Sequence, residues 1–210
     1  MHARLLSPRL CALVGLAGGT LFSIGSGCFI AQSFVTSDDW LLIYRAGCGC
    51  WVVGCCPYVL LSIFVGRSQP LLCCYSHVPL MVIVQVGGLS CYITGCILGY
   101  VDPIHAVIPS TNLLFAVGAG SQLLDAVVDA ARRRHRTIDL AVVVEIVAGA
   151  FFCLAAGLGG YASHVSLVRI GMTCWLIGSL GYLSLSFIDY RQATRQPASP
   201  PVMLAAIGVS

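Results

Sequence analysis

Glu145 is the residue of this 210-residue sequence whose side chain is the clearest candidate for a chemical role, because the stretch around it is otherwise apolar. A carboxyl group inside an apolar environment favours its neutral form, so such a group can bind and release a proton or a cation. A structural interpretation stays open beside this one, in which Glu145, several residues in from Asp139, simply reaches water. The surroundings of Glu145 therefore decide between a functional and a structural role.

Glu145 belongs to a set of positions that recur in six long apolar stretches. Each stretch contains an aromatic residue, and a step of seven residues from it covers two helical turns along nearly the same face. The step reaches Gly15 in the first stretch and side chains that can hydrogen-bond in the other five: Tyr58, Gln85, Gln122, Glu145 and Tyr182. If the aromatic residues share one depth, these five form a polar layer about 10 Å from them.

The polar layer predicts either a transport site or a set of hydrogen bonds between helices. Asp125 lies one turn further out than Gln122, and we expect it to reach the membrane interface and to pair with Asp129 and the arginine run at 131–136.

The aromatic residues themselves begin a repeated motif, in which small residues follow three and four positions later. Positions i, i+3 and i+4 share one helical face, so each helix presents a large ring beside a notch that lets a neighbouring backbone approach closely. The motif therefore predicts helix packing. Its members are Phe22 with Gly25, Trp51 with Gly54, Tyr92 with Gly95, Phe115 with Gly118, Trp175 with Gly178, and Phe152 in a weaker form with Ala155 and Ala156.

Composition places these stretches in a membrane. Hydrophobic residues make up 58% of the chain and charged residues only 9%, whereas soluble domains contain roughly 25% charged residues. The fold predicted is all-α, a polytopic membrane protein with six transmembrane helices arranged as three tandem hairpins. The expected ranges are 10–35 and 41–66 in hairpin 1 (10–66), 78–101 and 106–130 in hairpin 2 (78–130), 140–162 and 170–188 in hairpin 3 (140–188), and a flexible tail at 189–210.

The arginines predict an orientation in that membrane. All but Arg45 and Arg169 fall on the side of the amino terminus, and cationic residues are enriched in cytoplasmic loops. We therefore expect both termini to be cytoplasmic, while the identity of the membrane stays open. The same topological explanation of the arginine excess excludes nucleic acid as a partner.

The sequence gives little evidence for catalysis or metal binding outside the polar layer. No nucleophile motif, Gly-rich phosphate loop or metal-ligand spacing occurs, so we predict no enzyme, no catalytic residue, no metal and no cofactor. Most of the twelve cysteines lie within apolar stretches, where they are expected to act as small packing residues.

Each hairpin resembles the YrhK-like domain, a two-helix membrane module, through the stretches LFSIGS (21–26), LLFAVGA (113–119) and CWLIGS (174–179). The resemblance covers most of residues 10–190 as three tandem copies and implies a fold unit without catalytic residues.

The repeated notches favour a structural or assembly protein, whose partners are the lipid bilayer and a homo-oligomer or subunits of a larger membrane complex. The alternative is a transporter or channel for a small solute or ion, proton-coupled, that uses the polar layer around Glu145.

Overall fold

The computed structural model describes residues 8–35, 39–68, 77–102, 109–132, 140–159 and 164–195, and almost all of these residues are helical. Six helices follow one another: α1 (Pro8–Gln32), α2 (Asp39–Ser68), α3 (His77–Val101), α4 (Pro109–Arg132), α5 (Leu140–Gly159) and α6 (Val165–Arg195). The predicted all-α fold with six helices is thus confirmed for the part of the chain that the structure describes.

All six helices are long and apolar enough to cross a membrane. Their outer faces carry large apolar side chains, such as Leu42, Ile83, Val101 and Leu140, each at least 67% exposed. Lipid chains are as apolar as leucine, so a membrane protein leaves such side chains on its outer surface without cost. The outer surface of the bundle therefore matches an integral, multi-pass membrane protein.

Helices α1 to α5 end within three residues of the predicted spans, but α6 is longer than its predicted span of 170–188. It starts five residues earlier and continues to Arg195, so residues 189–195, assigned above to the tail, are helical. The remainder of that tail, residues 196–210, lies outside the described residues.

The early start of α6 places Arg169 inside the helix, where its charge is accommodated by the end of α1. The guanidinium lies 4.2 Å from the centroid of the Phe34 ring and donates a hydrogen bond of 3.1 Å to the carbonyl of Ser33. Arg45 has a similar environment at this end of the bundle, because its Nε donates to the carbonyl of Tyr100 at 3.2 Å. Both arginines therefore meet carbonyl groups at helix ends.

The helices form a closed ring. Each helix packs against the one before it and the one after it, and α6 packs back against α1. The closure brings the first turn of α1 beside the last turn of α6, where Arg9 Nε donates to the carbonyl of Ala193 at 3.4 Å. All neighbours are therefore antiparallel, and the ring has an interior that every helix faces.

The aromatic motif packs the two helices of each hairpin against each other. A Cβ atom added at Gly54 of α2 would lie 2.9 Å from the Phe22 ring of α1, and one added at Gly118 of α4 would lie 2.9 Å from the Tyr92 ring of α3. The same contact joins Gly178 of α6 to Phe152 of α5. The aromatic ring of one helix thus fills the notch of its partner in all three hairpins.

The six motif rings meet on the axis of the ring of helices. Trp51 and Trp175 lie edge to face with their centroids 5.1 Å apart, and Phe152 lies 4.9 Å from Trp175. We call the connected set the aromatic layer; its members are Phe22, Trp51, Tyr92, Phe115, Phe152 and Trp175. The layer closes the interior of the bundle at this depth.

Candidate functional site

A cavity of about 200 Å³ lies inside the ring on the side of the aromatic layer where α1 begins and α6 ends. All five residues of the predicted polar layer line this first cavity: Tyr58, Gln85, Gln122, Glu145 and Tyr182. Five different helices supply them, each at two turns from its motif aromatic. Because the ring is closed, the faces that carry these residues on five helices line one polar chamber.

Helix α1 meets the polar layer through its backbone at Gly15. Gly15 has no side chain, and the hydroxyl of Tyr58 donates a hydrogen bond of 3.0 Å to its carbonyl. The same hydroxyl lies 3.3 Å from Ser186 Oγ on α6. Tyr58 therefore links α1, α2 and α6 at the level of the polar layer.

Two further carboxylates line the first cavity beside Glu145, and they are Asp125 on α4 and Asp189 on α6. Asp189 is exposed and so lies at the mouth, whereas Asp125 and Glu145 are half-buried. Tyr182 lies close enough to both half-buried carboxylates to interact with their charges. The chamber thus concentrates three acidic groups within a membrane-spanning bundle.

The structure gives Asp125 a partner on α3 that the sequence did not predict. Gln85 Nε2 of α3 donates a hydrogen bond to Asp125 Oδ2, and both residues line the first cavity. The reason is helical geometry: Asp125 follows Gln122 by three residues and so shares its inward face. The predicted partners, the Asp129 side chain and most of the arginine run at 131–136, lie outside the described residues.

Sequence reasoning missed Asp189, although a signal for it was present. Asp189 follows Tyr182 by seven residues, so a second step of two turns along α6 reaches it. Ser62 and Ser186 follow Tyr58 and Tyr182 by four residues and line the same cavity. Extending the periodicity by one or two turns would have found all three.

The described residues that line the first cavity offer hydrogen-bond acceptors and negative charge. They include no arginine, lysine or histidine, and Gln122 Oε1 is buried without a hydrogen-bond partner among the described residues. A buried acceptor of this kind is satisfied by water or by a donor on a ligand. The chamber is therefore suited to a proton or to a cation that carries N–H or O–H groups.

A metal centre has little support in the described part of the chain. No group of three or more His, Cys, Asp or Glu side chains there could hold a metal ion. The ten described cysteines are free, and Cys48, Cys55 and Cys96 are buried in the packed core. Cys73 and Cys74 lie outside the described residues.

The aromatic layer forms the floor of the first cavity through Phe22. Hydrogen bonds stiffen it, because Trp51 Nε1 donates to Ser26 Oγ at 3.2 Å and Ser26 Oγ lies 2.9 Å from Ser179 Oγ. Ser179 in turn donates to the carbonyl of Trp175 at 2.8 Å. The two tryptophans are thus connected through two buried hydroxyl groups.

A second cavity of about 250 Å³ lies on the opposite side of the aromatic layer. Trp51, Phe115 and Trp175 form the part of its wall that faces the layer. No described residue lines both cavities. In the described part of the bundle, the aromatic layer therefore lies between these two chambers.

Comparison with known proteins identifies no relative: no protein-family model, no curated protein and no solved structure matches this chain. The resemblance to the YrhK-like domain accordingly stays a prediction from the sequence.

Proposed function

We propose that this protein is a membrane carrier for a small cation or a proton. The observation that carries the proposal is the convergence of Glu145, Asp125 and Asp189 on one chamber at the axis of a ring of transmembrane helices. Carboxylates are costly in a membrane and typically mark pathways of ions or protons.

A carrier fits the interior better than an open channel does. The aromatic layer blocks the axis between the two cavities with rings whose centroids lie about 5 to 6 Å apart, such as those of Trp51, Trp175 and Tyr92. A solute can pass only when these rings rearrange, and gating of one part of a helix bundle against another is the usual basis of alternating access. The two cavities are then the two access chambers.

The assembly function predicted from the sequence rested on notches that a partner protein would fill. In the structure the notches at Gly54, Gly118 and Gly178 are filled by Phe22, Tyr92 and Phe152 of the same chain. These notches therefore give no argument for an external partner. A homo-oligomer or a larger membrane complex stays a prediction that other surfaces would have to support.

The proposal also includes an internal repeat and an orientation in the membrane. The recurrence of one ring-in-notch contact in every hairpin supports three tandem copies of one two-helix unit, as the resemblance to the YrhK-like domain implies. Three copies in the same orientation would form parallel repeats about an axis normal to the membrane. We propose further that both termini are cytoplasmic, on the basis of the arginine distribution.

Measurements of proton and cation flux in proteoliposomes test the proposal that the protein is a carrier. Purified full-length protein is reconstituted, and proton uptake is followed with a trapped pH-sensitive dye under an imposed potential, with and without outward gradients of sodium, potassium or an organic ammonium salt. Wild-type protein is expected to show saturable flux for at least one of these cations. Glu145→Gln keeps the size of the side chain and should reduce the initial rate at least tenfold.

The matched control is Asp39→Asn, which removes an exposed carboxylate at the start of α2, at the opposite end of the bundle. It should leave the rate unchanged. Absence of wild-type flux for every cation, or equal rates in wild type and Glu145→Gln, would overturn the proposal.

A further inference from the structure

The second cavity differs from the first in the chemistry of its wall. Its described lining contains no acidic and no basic side chain, but it contains five aromatic rings, those of Phe29, Tyr44, Trp51, Phe115 and Trp175. Gln32, Thr111 and Asn112 add neutral polar side chains, and the rest of the described lining is glycine or apolar. This wall combines aromatic rings with a few hydrogen-bonding groups.

Thr111 adds an unpaired hydroxyl group to the wall of the second cavity. Its side chain is only 3% exposed, and its Oγ1 has no hydrogen-bond partner in the described part of the chain. Buried hydroxyl groups are normally paired, so one that belongs to a cavity wall and has no described protein partner is satisfied by water or by a polar group of a ligand. A ligand with a hydrogen-bonding group therefore suits this wall.

We propose that the second cavity binds a small organic cation, and that the carried solute is this organic cation rather than a metal ion. The inference rests on the proposed carrier function and names its substrate class. Faces of tryptophan, tyrosine and phenylalanine attract cations through the ring quadrupole, and sets of such rings recognise ammonium groups. The carboxylates of the first cavity attract the same positive charge, so one ligand suits both chambers.

Metal ions suit the second cavity poorly. Calcium and magnesium require about six or more oxygen ligands at short distance, whereas only four described side chains in the lining carry an oxygen atom: Gln32, Tyr44, Thr111 and Asn112. An organic cation retains its own bonds and needs only ring faces and one or two acceptors.

The volumes agree with an organic cation. A cavity of about 150 Å³ is enough for benzene, and the two chambers measure about 200 and 250 Å³. A ligand of about six to ten non-hydrogen atoms therefore fits either chamber.

Equilibrium binding tests the inference without requiring transport. Full-length protein in lipid nanodiscs is titrated with choline chloride, and the emission of the tryptophans is recorded, since two of the three, Trp51 and Trp175, line the second cavity. Sodium chloride at equal ionic strength is the salt control. The neutral isostere 3,3-dimethylbutan-1-ol, which has the same shape and hydroxyl group without the charge, tests the role of the positive charge.

The expected result is a saturable change in emission with choline, with binding of the neutral isostere at least tenfold weaker. Phe115→Leu removes one aromatic ring and should weaken choline binding about two- to thirty-fold. Phe187→Leu, an exposed phenylalanine outside the cavity, is the matched control and should have no effect. Helical content and a monodisperse elution profile establish that each variant is folded.

Three results would overturn the inference: no saturable response to choline, equal affinity for the neutral isostere, or wild-type affinity in folded Phe115→Leu. The inference and the carrier proposal can fail separately. Proton flux that depends on Glu145 without choline binding would leave the carrier and remove the organic cation. Choline binding without flux would leave the binding site and remove the carrier.

Discussion

The side-chain amide of Gln85 on α3 donates a hydrogen bond to the carboxylate of Asp125 on α4 inside the first cavity. A polar side chain without a partner is costly in an apolar bundle, so each of these two groups limits the cost of burying the other. The pair also joins the two helices of the second hairpin at the level of the polar layer. The chamber is therefore a structural element as well as a candidate binding site.

A double-mutant cycle measures this pair. We expect Gln85→Leu and Asp125→Leu to be non-additive, with a coupling of about 0.5 to 3 kcal/mol in the free energy of unfolding. Denaturant unfolding in detergent micelles, followed by circular dichroism, gives the four values. The control cycle pairs Gln85→Leu with Asp39→Leu, since Asp39 lies at the opposite end of the bundle, and it should be additive. Additivity in the first cycle would show that the bond contributes nothing to stability.

Ser26 is expected to be important for stability because its hydroxyl contacts both Trp51 on α2 and Ser179 on α6. Ser26→Ala leaves the indole N–H of Trp51 and the hydroxyl of Ser179 without this partner, and an unsatisfied buried group costs about 1 to 3 kcal/mol. Thermal unfolding in micelles should detect the loss. Ser90→Ala is the control, because Ser90 is exposed and its hydroxyl donates to the carbonyl of Val86 on its own helix. Equal melting temperatures for the two variants would contradict the role assigned to Ser26.

Gly178 should tolerate no side chain. A Cβ atom there would meet the Phe152 ring and would lie 3.0 Å from the carbonyl oxygen of Ala148, so Gly178→Ala should destabilise the protein by about 1 to 3 kcal/mol through overpacking. Gly157→Ala provides the matched control, because nothing lies within 4 Å of its added Cβ. The control should be neutral or stabilising by up to about 1 kcal/mol, as expected for alanine in a helix. Similar unfolding curves for both variants would remove the packing argument.

The predicted topology is testable by labelling from one side of the membrane. Single cysteines are introduced at Ser37 and at His135, in a background that does not react with an impermeant maleimide. If both termini are cytoplasmic, the site at 37 reacts from outside in intact cells and the site at 135 reacts only after permeabilisation. Labelling of both sites from the same side would make the six-span arrangement wrong.

The sequence predicted the positions of the polar layer better than it predicted the extent of the site. Tyr58, Gln85 and Glu145 were found because a periodicity of two turns depends only on the helix itself. Asp125 and Asp189 lie nearer to the helix ends, where an acidic residue can equally face the headgroups or the interior. Only the neighbouring helices decide between these orientations.

The second cavity and the closed ring could not be predicted for a related reason. Contact between α1 and α6, as at Arg9 and Ala193, joins the two ends of the described chain, and no local pattern encodes such a contact. Thr111 is an ordinary first-turn residue of α4 by sequence. Its hydroxyl is buried and unpaired among the described residues, and that burial results from the packing of other helices around it.

Closure of the ring by α6 has a consequence for biosynthesis. The helices are synthesised in order, so α1 has no α6 beside it until the last helix has been inserted. During that interval, the face around Gly15 and the chamber carboxylates on α4 and α5 lack contact with α6. A chain truncated before α6 would retain this exposed polar seam. Polar side chains that face lipid are costly, so the bundle becomes stable in the membrane only once α6 has joined α1 and α5.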